Sequence, residues 1–471
     1  MRKTKIVCTL GPASETEEIV TGLCKAGMNV ARMNFSHNTY ADHQRRIDLV
    51  KKVREKLKIP VAVMLDTKGP EYRIKTFKDK KITLKEGDKF TFTAREIVGD
   101  KTIVSVSYKN LPSELSVGDT ILLNNGLLEF KVVNINSTDI VCAVIIGGEL
   151  SDRKSMSFPG KVINQEYLSK QDKMDIAFGV KNSVEYIACS FVSKKQDLID
   201  VHNYLQELNA DDIELIAKIE NQSGVDNIEE ICTACDGIMI ARGDMGVEIP
   251  FKMLPTIQKK LITKCRLLGK RVITATEMLE SMISNPRPTR AEISDVANAV
   301  YDGTSAIMLS GETAAGKYPI EAVKIMAEIA ETTEKNIHYN KRFYNAEFEI
   351  RNSVDAISHS TCGMAIDLDA KAIVACSISG KTARMVSRFR PTVPIIGLTT
   401  EERTWRKLAL SWGVIPTMCE RFSSTDVLFY TAKKIAEREL SLNKGDKIII
   451  TGGDTSGTSG NTSLIKIENI Q

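Results

Sequence analysis

Eight short apolar runs alternate with amphipathic, helix-like segments over the first two thirds of the chain. The strand-like runs cover residues 5–10, 29–35, 61–66, 186–191, 215–220, 237–242, 271–277 and 305–310. Alternating strands and helices are typical of parallel sheets built from βαβ units, and eight units are the number in a (β/α)8 barrel. The pattern therefore predicts an α/β fold based on a (β/α)8 TIM barrel. An open doubly wound sheet is the alternative that strand counting leaves open.

A segment of different character interrupts this alternation between residue 66 and the helical pattern at 169–179. Apolar and polar residues alternate there with period two, for example at 89–93 and 127–132, and glycine-containing turns separate the runs. Such patterning is typical of antiparallel strands joined by tight turns. We therefore predict a small all-β lid domain inserted after the third strand, where it can close over the active face of a barrel.

A third unit follows the barrel, with predicted strands at 372–376, 393–398, 413–417 and 447–451 separated by helical patterns. It is predicted to be a small C-terminal α/β domain. The expected boundaries are 1–68 and 166–340 for the barrel, 69–165 for an inserted β-barrel lid, and 341–471 for the C-terminal domain.

Composition excludes several other classes of protein. The 64 basic and 60 acidic residues leave a net charge of only +4, which argues against a nucleic-acid-binding surface. No apolar stretch is long enough for a membrane span, and residues 1–7 do not form a signal peptide, so we expect a cytoplasmic protein that does not bind membranes. The 10 cysteines are scattered, and the pair Cys232 and Cys235 lacks a second pair at zinc-ligand spacing.

Polar side chains occur where the predicted barrel strands end. The carboxyl ends of barrel strands form the active face, and residues two apart on a strand share one side. The residues expected at this face are Arg32, Asn34, Ser36, Asp66, Thr67, Lys218, Glu220, Gly243, Asp244, Thr276, Ser310 and Glu312.

The charges in this set point to phosphoryl transfer. Glu220 and Asp244 are the carboxylates that suit Mg²⁺, which commonly takes one or two protein carboxylates together with water and phosphate oxygens. Lys218 and Arg32 add the positive charge that a migrating phosphoryl group requires. A second group, Asn34, Ser36, Asp66 and Thr67, has one carboxylate among neutral oxygens and fits a monovalent cation better.

Other interpretations remain open on the residues alone. Lys218 and Glu220 could form an ordinary ion pair, and Asp66 and Thr67 could cap a helix. A barrel lyase, aldolase-like or enolase-like, would use Lys218 as a Schiff-base amine or general base. A non-catalytic nucleotide-binding or RNA-binding protein is a third class, which the balanced charge disfavours.

Long motifs along the whole chain resemble those of the pyruvate kinase family. They occur in family order at 3–12 (KTKIVCTLGP), 31–37 (ARMNFSH), 65–71 (LDTKGPE), 217–221 (AKIEN), 239–244 (MIARGD), 275–282 (ATEMLESM), 302–304 (DGT) and 309–314 (LSGETA). The chain resembles a bacterial-type member without the additional C-terminal domain that some bacterial relatives carry.

The resemblance implies transfer of the phosphoryl group of phosphoenolpyruvate to ADP, giving pyruvate and ATP in the last step of glycolysis. It implies that Arg32 grips the phosphoryl group, that Lys218 stabilises its transfer, and that Thr276, backed by Ser310 and Glu312, supports protonation of the enol. The remaining implied roles are substrate binding by Arg32, Lys218, Gly243, Asp244 and Thr276, Mg²⁺ (or Mn²⁺) binding by Glu220 and Asp244, K⁺ binding by Asn34, Ser36, Asp66 and Thr67, and nucleotide binding by Asn34, His37, Arg73 and Lys154.

The resemblance also implies regulation and assembly. In the C-terminal domain the loop of Ser377, Ser379, Gly380, Lys381 and Thr382 follows a strand and opens a helix, as a phosphate-binding loop does. The family uses this loop for a phosphorylated effector, for which AMP or a sugar phosphate is expected here, and the expected assembly is a homotetramer. An acid at Glu71 accompanies K⁺ dependence in the family. Two departures are Glu277, where the family usually has glutamine, and the atypical lid segment 155–166.

Overall fold

Eight parallel strands close into a barrel in the computed structural model, which describes residues 1–161, 163, 165–422, 424–453 and 462–471. Each strand lies within two residues of its predicted position, so the barrel is confirmed and the open sheet is wrong. In order around the barrel the strands are Lys5–Thr9, Val30–Asn34, Ala62–Asp66, Tyr186–Cys189, Glu214–Ile219, Gly237–Ala241, Arg271–Ala275 and Ala306–Leu309, the last of which pairs with the first.

Helices cover the outside of the barrel, so the strands are buried on both faces, as parallel strands usually are. Several of these helices begin at capping boxes, such as Thr39 with Asp42 and Thr289 with Glu292. The helices of the barrel domain are Glu17–Ala26, Tyr40–Leu57, Lys170–Lys181, Lys195–Glu207, Gln222–Asp226, Ile228–Ala234, Arg242–Glu248, Leu254–Leu267, Arg290–Asp302, Gly311–Ala314 and Pro319–Lys335, with 3₁₀ turns at Pro12–Ser14, Phe251–Met253 and Glu280–Ile283.

The inward-facing side chains of the barrel strands determine which polar residues reach the active face. Val30, Met64 and Ile216 belong to the cluster that fills the barrel interior. Side chains two residues apart on a strand point to the same side. The inward-facing side chains that come next are therefore Arg32 and Asn34 after Val30, Asp66 after Met64, and Lys218 and Glu220 after Ile216. Asn34 and Asp66 lie opposite each other in the register of neighbouring strands. The apolar pattern of the strands therefore brings these polar groups to one end of the barrel.

The segment inserted after the third strand is built from short strands around its own apolar core, as predicted. Its strands are Tyr72–Arg73, Lys81–Leu84, Lys89–Thr93, Ile103–Ser105, Thr120–Leu123, Leu128–Ile135, Asp139–Ile146, Gly148–Ser151 and Ser155–Ser157, with one helical turn at Leu111–Glu114. Within the described residues they form a seven-stranded sheet and a separate two-stranded ribbon, and the β-barrel lid at 69–165 stays a prediction. Isolated bridges, Ile74 with Val106 and Phe77 with Gly99, and backbone hydrogen bonds such as that from the Gly87 amide to the Val144 carbonyl link other parts of the segment.

The C-terminal domain has a five-stranded sheet with helices on both faces. Four strands are parallel and match the predicted runs, but the fifth is antiparallel and was not predicted, because its alternating exposure lacks a strong apolar pattern. The strands, in sheet order, are Val414–Met418, Ile395–Thr399, Ala372–Cys376, Lys447–Gly452 and Leu464–Asn469, and the helices are Ser353–Asp367, Lys381–Arg388, Glu402–Leu408 and Thr425–Glu439, preceded by the connecting helix Tyr339–Asn345. Within the described part of the chain, no helix is both long and apolar enough to cross a membrane.

This domain closes the base of the barrel, at the amino ends of the strands. Leu410 is fully buried and belongs to the same cluster as the barrel-interior residues. Around it, Glu214 forms ion pairs with Arg271 of the barrel and with Arg384 of the C-terminal domain, the latter over 2.8 Å. Burial alone would raise the pKa of Glu214, but the charges of Arg271, Arg384 and Lys407 outweigh it and lower the pKa to about 2.

Substitution of this carboxylate is expected to have a pH-dependent effect on stability. Because the folded-state pKa of Glu214 lies below its ordinary value of 4.5, its contribution is complete above pH 4.5 and is lost as the pH falls toward 2. That contribution is roughly 3 kcal/mol. We expect Glu214→Gln to lower the free energy of unfolding at pH 7, and the difference from the unsubstituted protein to shrink below pH 4.5 in urea titrations. A difference that stays constant with pH would contradict this.

Candidate active site

Four charged side chains form one buried network at the carboxyl ends of the strands. Asp66 accepts from Arg32 Nε at 2.6 Å and lies 3.1 Å from Lys218 Nζ, and the same Nζ lies 3.0 Å from Glu220 Oε1. Asp66 and Glu220 are fully buried, while Arg32 and Lys218 remain slightly accessible. Two cations and two carboxylates predicted from strand ends are therefore brought into direct contact.

The electrostatics of this network keep its cations charged. Burial alone would lower the pKa of Lys218, but the charges of Asp66 and Glu220 outweigh burial and raise it above the ordinary value. For Asp66, burial is opposed by Arg32 and Lys218, which bring the pKa below the ordinary value. A lysine that holds its proton this firmly is a poor nucleophile or base. The lyase interpretation of Lys218 is therefore disfavoured.

Two residues of this network were not predicted, although they stand at the end of the fourth strand. Ser190 Oγ accepts from Lys218 Nζ at 2.6 Å and donates to the Thr67 carbonyl at 2.7 Å. The amide of Phe191, a residue with φ of 57°, donates to Glu220 Oε2 at 2.5 Å. Applying the strand-end rule to the fourth strand, as to the others, would have indicated both residues.

Glu220 and Asp244 fit the carboxylate pair of a divalent cation. Glu220 Oε1 is buried, and although it forms an ion pair with Lys218 Nζ at 3.0 Å, it accepts no hydrogen bond of good geometry from the described residues. Burial, together with the charge of Asp244, raises the pKa of Glu220 to about 8, although the charge of Lys218 opposes this. A cation beside both carboxylates would relieve this unfavourable burial. Asp244 itself is exposed in the first turn of helix Arg242–Glu248, because the sixth strand ends at Ala241, earlier than predicted.

The predicted monovalent-cation group lies beside the network. Asn34 Oδ1 accepts from the Ser36 amide at 3.1 Å, and Thr67 Oγ1 accepts from the Ser190 amide at 3.2 Å. The hydroxyl of Ser36 belongs to an exposed residue. Because Asp66 already neutralises part of the charge of Arg32 and Lys218, the group offers mainly neutral oxygens. Such a donor set suits a cation of low charge.

Thr276 lies at the end of the seventh strand in an unusual backbone conformation. Thr276 and Glu277 have φ values of 65° and 52°, which cost non-glycine residues about 1–3 kcal/mol each. Arg242, whose role was not predicted, donates from Nη2 to the carbonyls of Thr276 at 2.5 Å and Glu277 at 3.1 Å. The Thr276 hydroxyl accepts from the Gly243 amide at 2.8 Å, which joins the sixth and seventh strand ends. The side chain of Glu277 is exposed.

Ser310 and Glu312 follow the eighth strand. Glu312 accepts from the backbone amides of Leu279 at 3.0 Å and Ser310 at 2.7 Å, and burial raises its pKa. It therefore holds two loops together and makes no direct hydrogen bond to Thr276. The Ser310 hydroxyl is buried with no partner among the described residues, so it is free to bond a ligand or water.

A cleft of about 630 Å³ separates the lid from the barrel mouth. His37, Arg73, Lys154 and Asp244 line it, whereas Asn34 is not among its lining residues. Glu71 lies in the same cleft and forms ion pairs with Arg73 over 2.5 Å and with Lys68 over 3.5 Å. In the atypical segment 155–166, strand Ser155–Ser157 pairs with strand Thr120–Leu123 and Phe158 is buried, while residues 162 and 164 lie outside the described part.

The predicted effector loop lies in the C-terminal domain, away from this cleft. It runs from strand Ala372–Cys376 into helix Lys381–Arg388, and Gly380 at the helix start has φ of 74°. Thr382 is buried and its hydroxyl lies 2.7 Å from that of Thr462. Ser377 and Ser379 are half-buried, and Lys381 is exposed. These groups stand at a helix N-terminus, as predicted.

Comparison with known proteins supports one family for the whole chain. The family model described as the pyruvate kinase barrel domain matches residues 1–323, and the pyruvate kinase alpha/beta domain matches residues 355–468. Pyruvate kinase of Clostridium acetobutylicum is 48% identical over the full length of both chains, and that of Staphylococcus epidermidis is 47% identical over 99% of this chain and 80% of the relative. The crystal structure of a pyruvate kinase from Cryptosporidium parvum superposes with a TM-score of 0.93 at 36% identity, covering 99% of this chain and 96% of that chain. The chain therefore belongs to the pyruvate kinase family and is a phosphotransferase.

Proposed function

We propose that the chain transfers the phosphoryl group of phosphoenolpyruvate to ADP, using a divalent cation and K⁺, in the last step of glycolysis. The observation that carries this proposal is the buried network of Arg32, Asp66, Lys218 and Glu220. Phe191, which lines the cleft beneath the lid, joins this network through its amide, which donates to Glu220. The positive charges of Arg32 and Lys218 lie where we expect the phosphoryl group to move. Catalysis of phosphoryl transfer depends chiefly on charges placed in this way.

In this proposal Arg32 and Lys218 bind the phosphoryl oxygens, and Asp66 keeps both cations oriented through its ion pairs. Glu220 and Asp244 hold Mg²⁺ or Mn²⁺, which when bound neutralises charge on substrate oxygens. The amide of Gly243 lies beside Thr276 and exposes backbone to the substrate. Ser190 Oγ accepts from Lys218, and so fixes the direction of its ammonium group.

Proton delivery to the enol carbon is assigned to the seventh and eighth strand ends. The Thr276 hydroxyl is oriented by the Gly243 amide, and its strained backbone is held by Arg242. The unpartnered Ser310 hydroxyl provides a place for a water molecule in a proton path. Glu312 acts as a positioning residue, since its carboxylate bonds backbone amides.

The nucleotide is proposed to occupy the cleft between lid and barrel. His37, Arg73 and Lys154 supply cationic and polar groups for its phosphates there, and Asn34 acts from the adjoining strand end. Asn34, Ser36, Asp66 and Thr67 would hold K⁺, which when bound adds positive charge beside the phosphoryl group. Closure of the lid over the substrates would exclude water from the transfer step.

Regulation, assembly and location are part of the same proposal. Ser377, Ser379, Gly380, Lys381 and Thr382 would bind the phosphate of an activating effector, AMP or a sugar phosphate, at the N-terminus of helix Lys381–Arg388. We propose a homotetramer that works in the cytoplasm and binds neither nucleic acid nor membranes. We also propose the boundaries 1–68 and 166–340 for the barrel, 69–165 for the lid and 341–471 for the C-terminal domain.

Removal of either cation is expected to lower activity strongly. Pyruvate formation from phosphoenolpyruvate and ADP is followed by coupling to lactate dehydrogenase, with AMP and sugar phosphates added in separate assays. We expect activity with Mg²⁺ and K⁺ together, recovery with Mn²⁺ in place of Mg²⁺, and a loss of at least about tenfold when EDTA removes the metal or Na⁺ replaces K⁺. No activity with both ions present, whatever the effector, would refute the proposal; activity unaffected by EDTA would refute the metal assignment.

A further inference from the structure

A second cleft, of about 660 Å³, lies at the base of the barrel, opposite the candidate active site. It is formed by the last turns of helices Leu254–Leu267 and Arg290–Asp302, by helix Tyr339–Asn345, and by Arg390 and Trp412 of the C-terminal domain. We call it the basal cleft. Its volume falls within the roughly 300–1,000 Å³ typical of small-molecule sites.

Basic side chains outweigh acidic ones in the basal cleft. Arg266, Lys341, Arg342 and Arg390 line it, against Asp302 and Glu347. Asp302 is already paired with Lys259, and Glu347 is exposed to solvent. The cleft therefore carries an excess of positive charge that its own acids do not neutralise.

Two of these arginines lack an acidic partner. The side chain of Arg266 makes no hydrogen bond or ion pair with any residue that the structure describes; its guanidinium lies 5.9 Å from the Phe348 ring, and its Nε is buried. Arg390 is only 5% exposed and donates to uncharged oxygens, namely the carbonyls of Ser387 and Gly303 and the hydroxyl of Ser305. Its Nε is also buried without a partner among the described residues. Burying a cation without a counter-ion is unfavourable.

The arginines also repel one another. Burial, together with the charges of Arg342 and Arg388, lowers the pKa of Arg266 to about 10. Burial likewise lowers the pKa of Arg390 to about 9, with a contribution from Arg266. Glu334 partly offsets the charge of Arg390, but its two oxygens accept from the amides of Lys3 at 2.8 Å and Thr4 at 2.7 Å.

The backbone at Arg390 is strained as well. Its φ of 55° lies in the left-handed region that favours glycine, directly after Phe389, the C-cap of helix Lys381–Arg388. The Trp412 ring lies 4.8 Å from its guanidinium and fixes the side chain in the cleft. An arginine at a position that suits glycine, aimed into a cleft with unpaired cations, indicates a role for the side chain rather than for the turn.

We propose that the basal cleft binds a small anion of phosphate type, held by Arg266, Arg342 and Arg390. Guanidinium groups match the oxygens of a phosphate group through paired hydrogen bonds. The three arginines come from the barrel, from the connecting helix and from the C-terminal domain, so the anion would join the parts of the chain across the barrel base. The site is distinct from the loop at 377–382, which lies at the opposite end of helix Lys381–Arg388, and does not depend on the function proposed above.

Thermal unfolding of the full chain tests this proposal. The midpoint is measured with inorganic phosphate in one arm and glycerol 1-phosphate in another, at constant ionic strength, for the unsubstituted protein, Arg266→Met and Arg342→Met. Arg438→Met, which removes an exposed arginine outside the cleft, is the control. We expect both phosphates to raise the midpoint of the unsubstituted protein and the control. The apparent phosphate affinity should fall at least tenfold in the two cleft variants, and Arg266→Met without phosphate should be no less stable than the unsubstituted protein, because repulsion is removed.

A larger rise with glycerol 1-phosphate than with inorganic phosphate would identify the ligand as a phosphorylated organic molecule, and equal rises would identify phosphate itself. Since phosphate contacts elsewhere in the chain are unchanged in the variants, the difference between proteins isolates the basal cleft. Equal rises in the unsubstituted protein and both cleft variants, or no rise in any protein, would overturn the proposal. Lower stability of Arg266→Met without phosphate would also overturn it, because Arg266 would then have a structural role.

Discussion

Lys218→Met is expected to lower turnover by roughly 10²–10³-fold, the usual cost of removing one group that stabilises charge in a transition state. Lys218 Nζ is the centre of the buried network, with Asp66, Glu220 and Ser190 all within 3.1 Å. Its raised pKa keeps the ammonium charged, and the methionine side chain fills similar space without charge. Phosphoenolpyruvate should still bind, because Arg32 remains in place and because the charge of Lys218 matters most during transfer.

Turnover is measured by the coupled assay and substrate binding by titration calorimetry, so that the two effects are separated. Lys434→Met is a matched control, since Lys434 is an exposed lysine of the C-terminal domain that lies outside both the lid cleft and the buried network. We expect the control to retain its turnover. Near-normal turnover in Lys218→Met, or loss of binding as large as the loss of turnover, would refute the assigned role. Trapping of a carbonyl substrate on Lys218 by borohydride would instead support a Schiff-base enzyme.

Asp66→Asn is expected to destabilise the protein by about 3–5 kcal/mol, the usual cost of breaking a buried ion pair on one side only. The substitution leaves the buried Arg32 with the Thr9 hydroxyl, 2.9 Å from Nη1, but without its carboxylate. Lys218 keeps Glu220 but loses its second acid. Turnover should fall as well, because neither cation would be held in its present orientation.

The change in the free energy of unfolding is measured by urea titration at pH 7, where the carboxyl group of Asp66 is ionised in the unfolded chain. Glu149→Gln serves as the control, because Glu149 pairs with Lys81 across an exposed surface and such pairs contribute little. A change in Asp66→Asn no larger than in the control would show that the network does not depend on this carboxylate. In that case the hydrogen bond to the Thr9 hydroxyl would be enough to orient Arg32.

The barrel could be predicted because its strands are buried on both faces and are therefore continuous apolar runs. The same regularity brought Arg32, Asp66, Lys218 and Glu220 correctly to one face, since period two continues from interior residues such as Val30 and Ile216. Strand Leu464–Asn469 was missed because it is half-exposed and has no comparable apolar run. The division of the lid strands into two sheets could not be predicted, because the local pattern of apolar and polar residues does not show which distant strands pair.

The rest of the site depends on contacts between residues distant in the chain. Arg242 and the carbonyl of Thr276 are 34 residues apart, and nothing in the local pattern indicates that the guanidinium supports a left-handed backbone there. The basal cleft was invisible for the same reason, because its arginines lie on three separate elements. Sequence motifs identified the family and so supplied the substrate, which the charges alone could not specify.

Leu410 belongs to the C-terminal domain by its position in the chain and to the barrel by its packing. The barrel therefore depends on the C-terminal domain to complete its core. Without the last third of the chain, the amino end of the barrel interior would lack the Leu410 side chain. Glu214 would at the same time lose Arg384 from its ion pairs. The boundary between the barrel and the C-terminal domain therefore marks a change of architecture. It does not divide the chain into two units that fold independently. A C-terminal domain exchanged into this chain from another protein would need an apolar side chain equivalent to Leu410 at the same place.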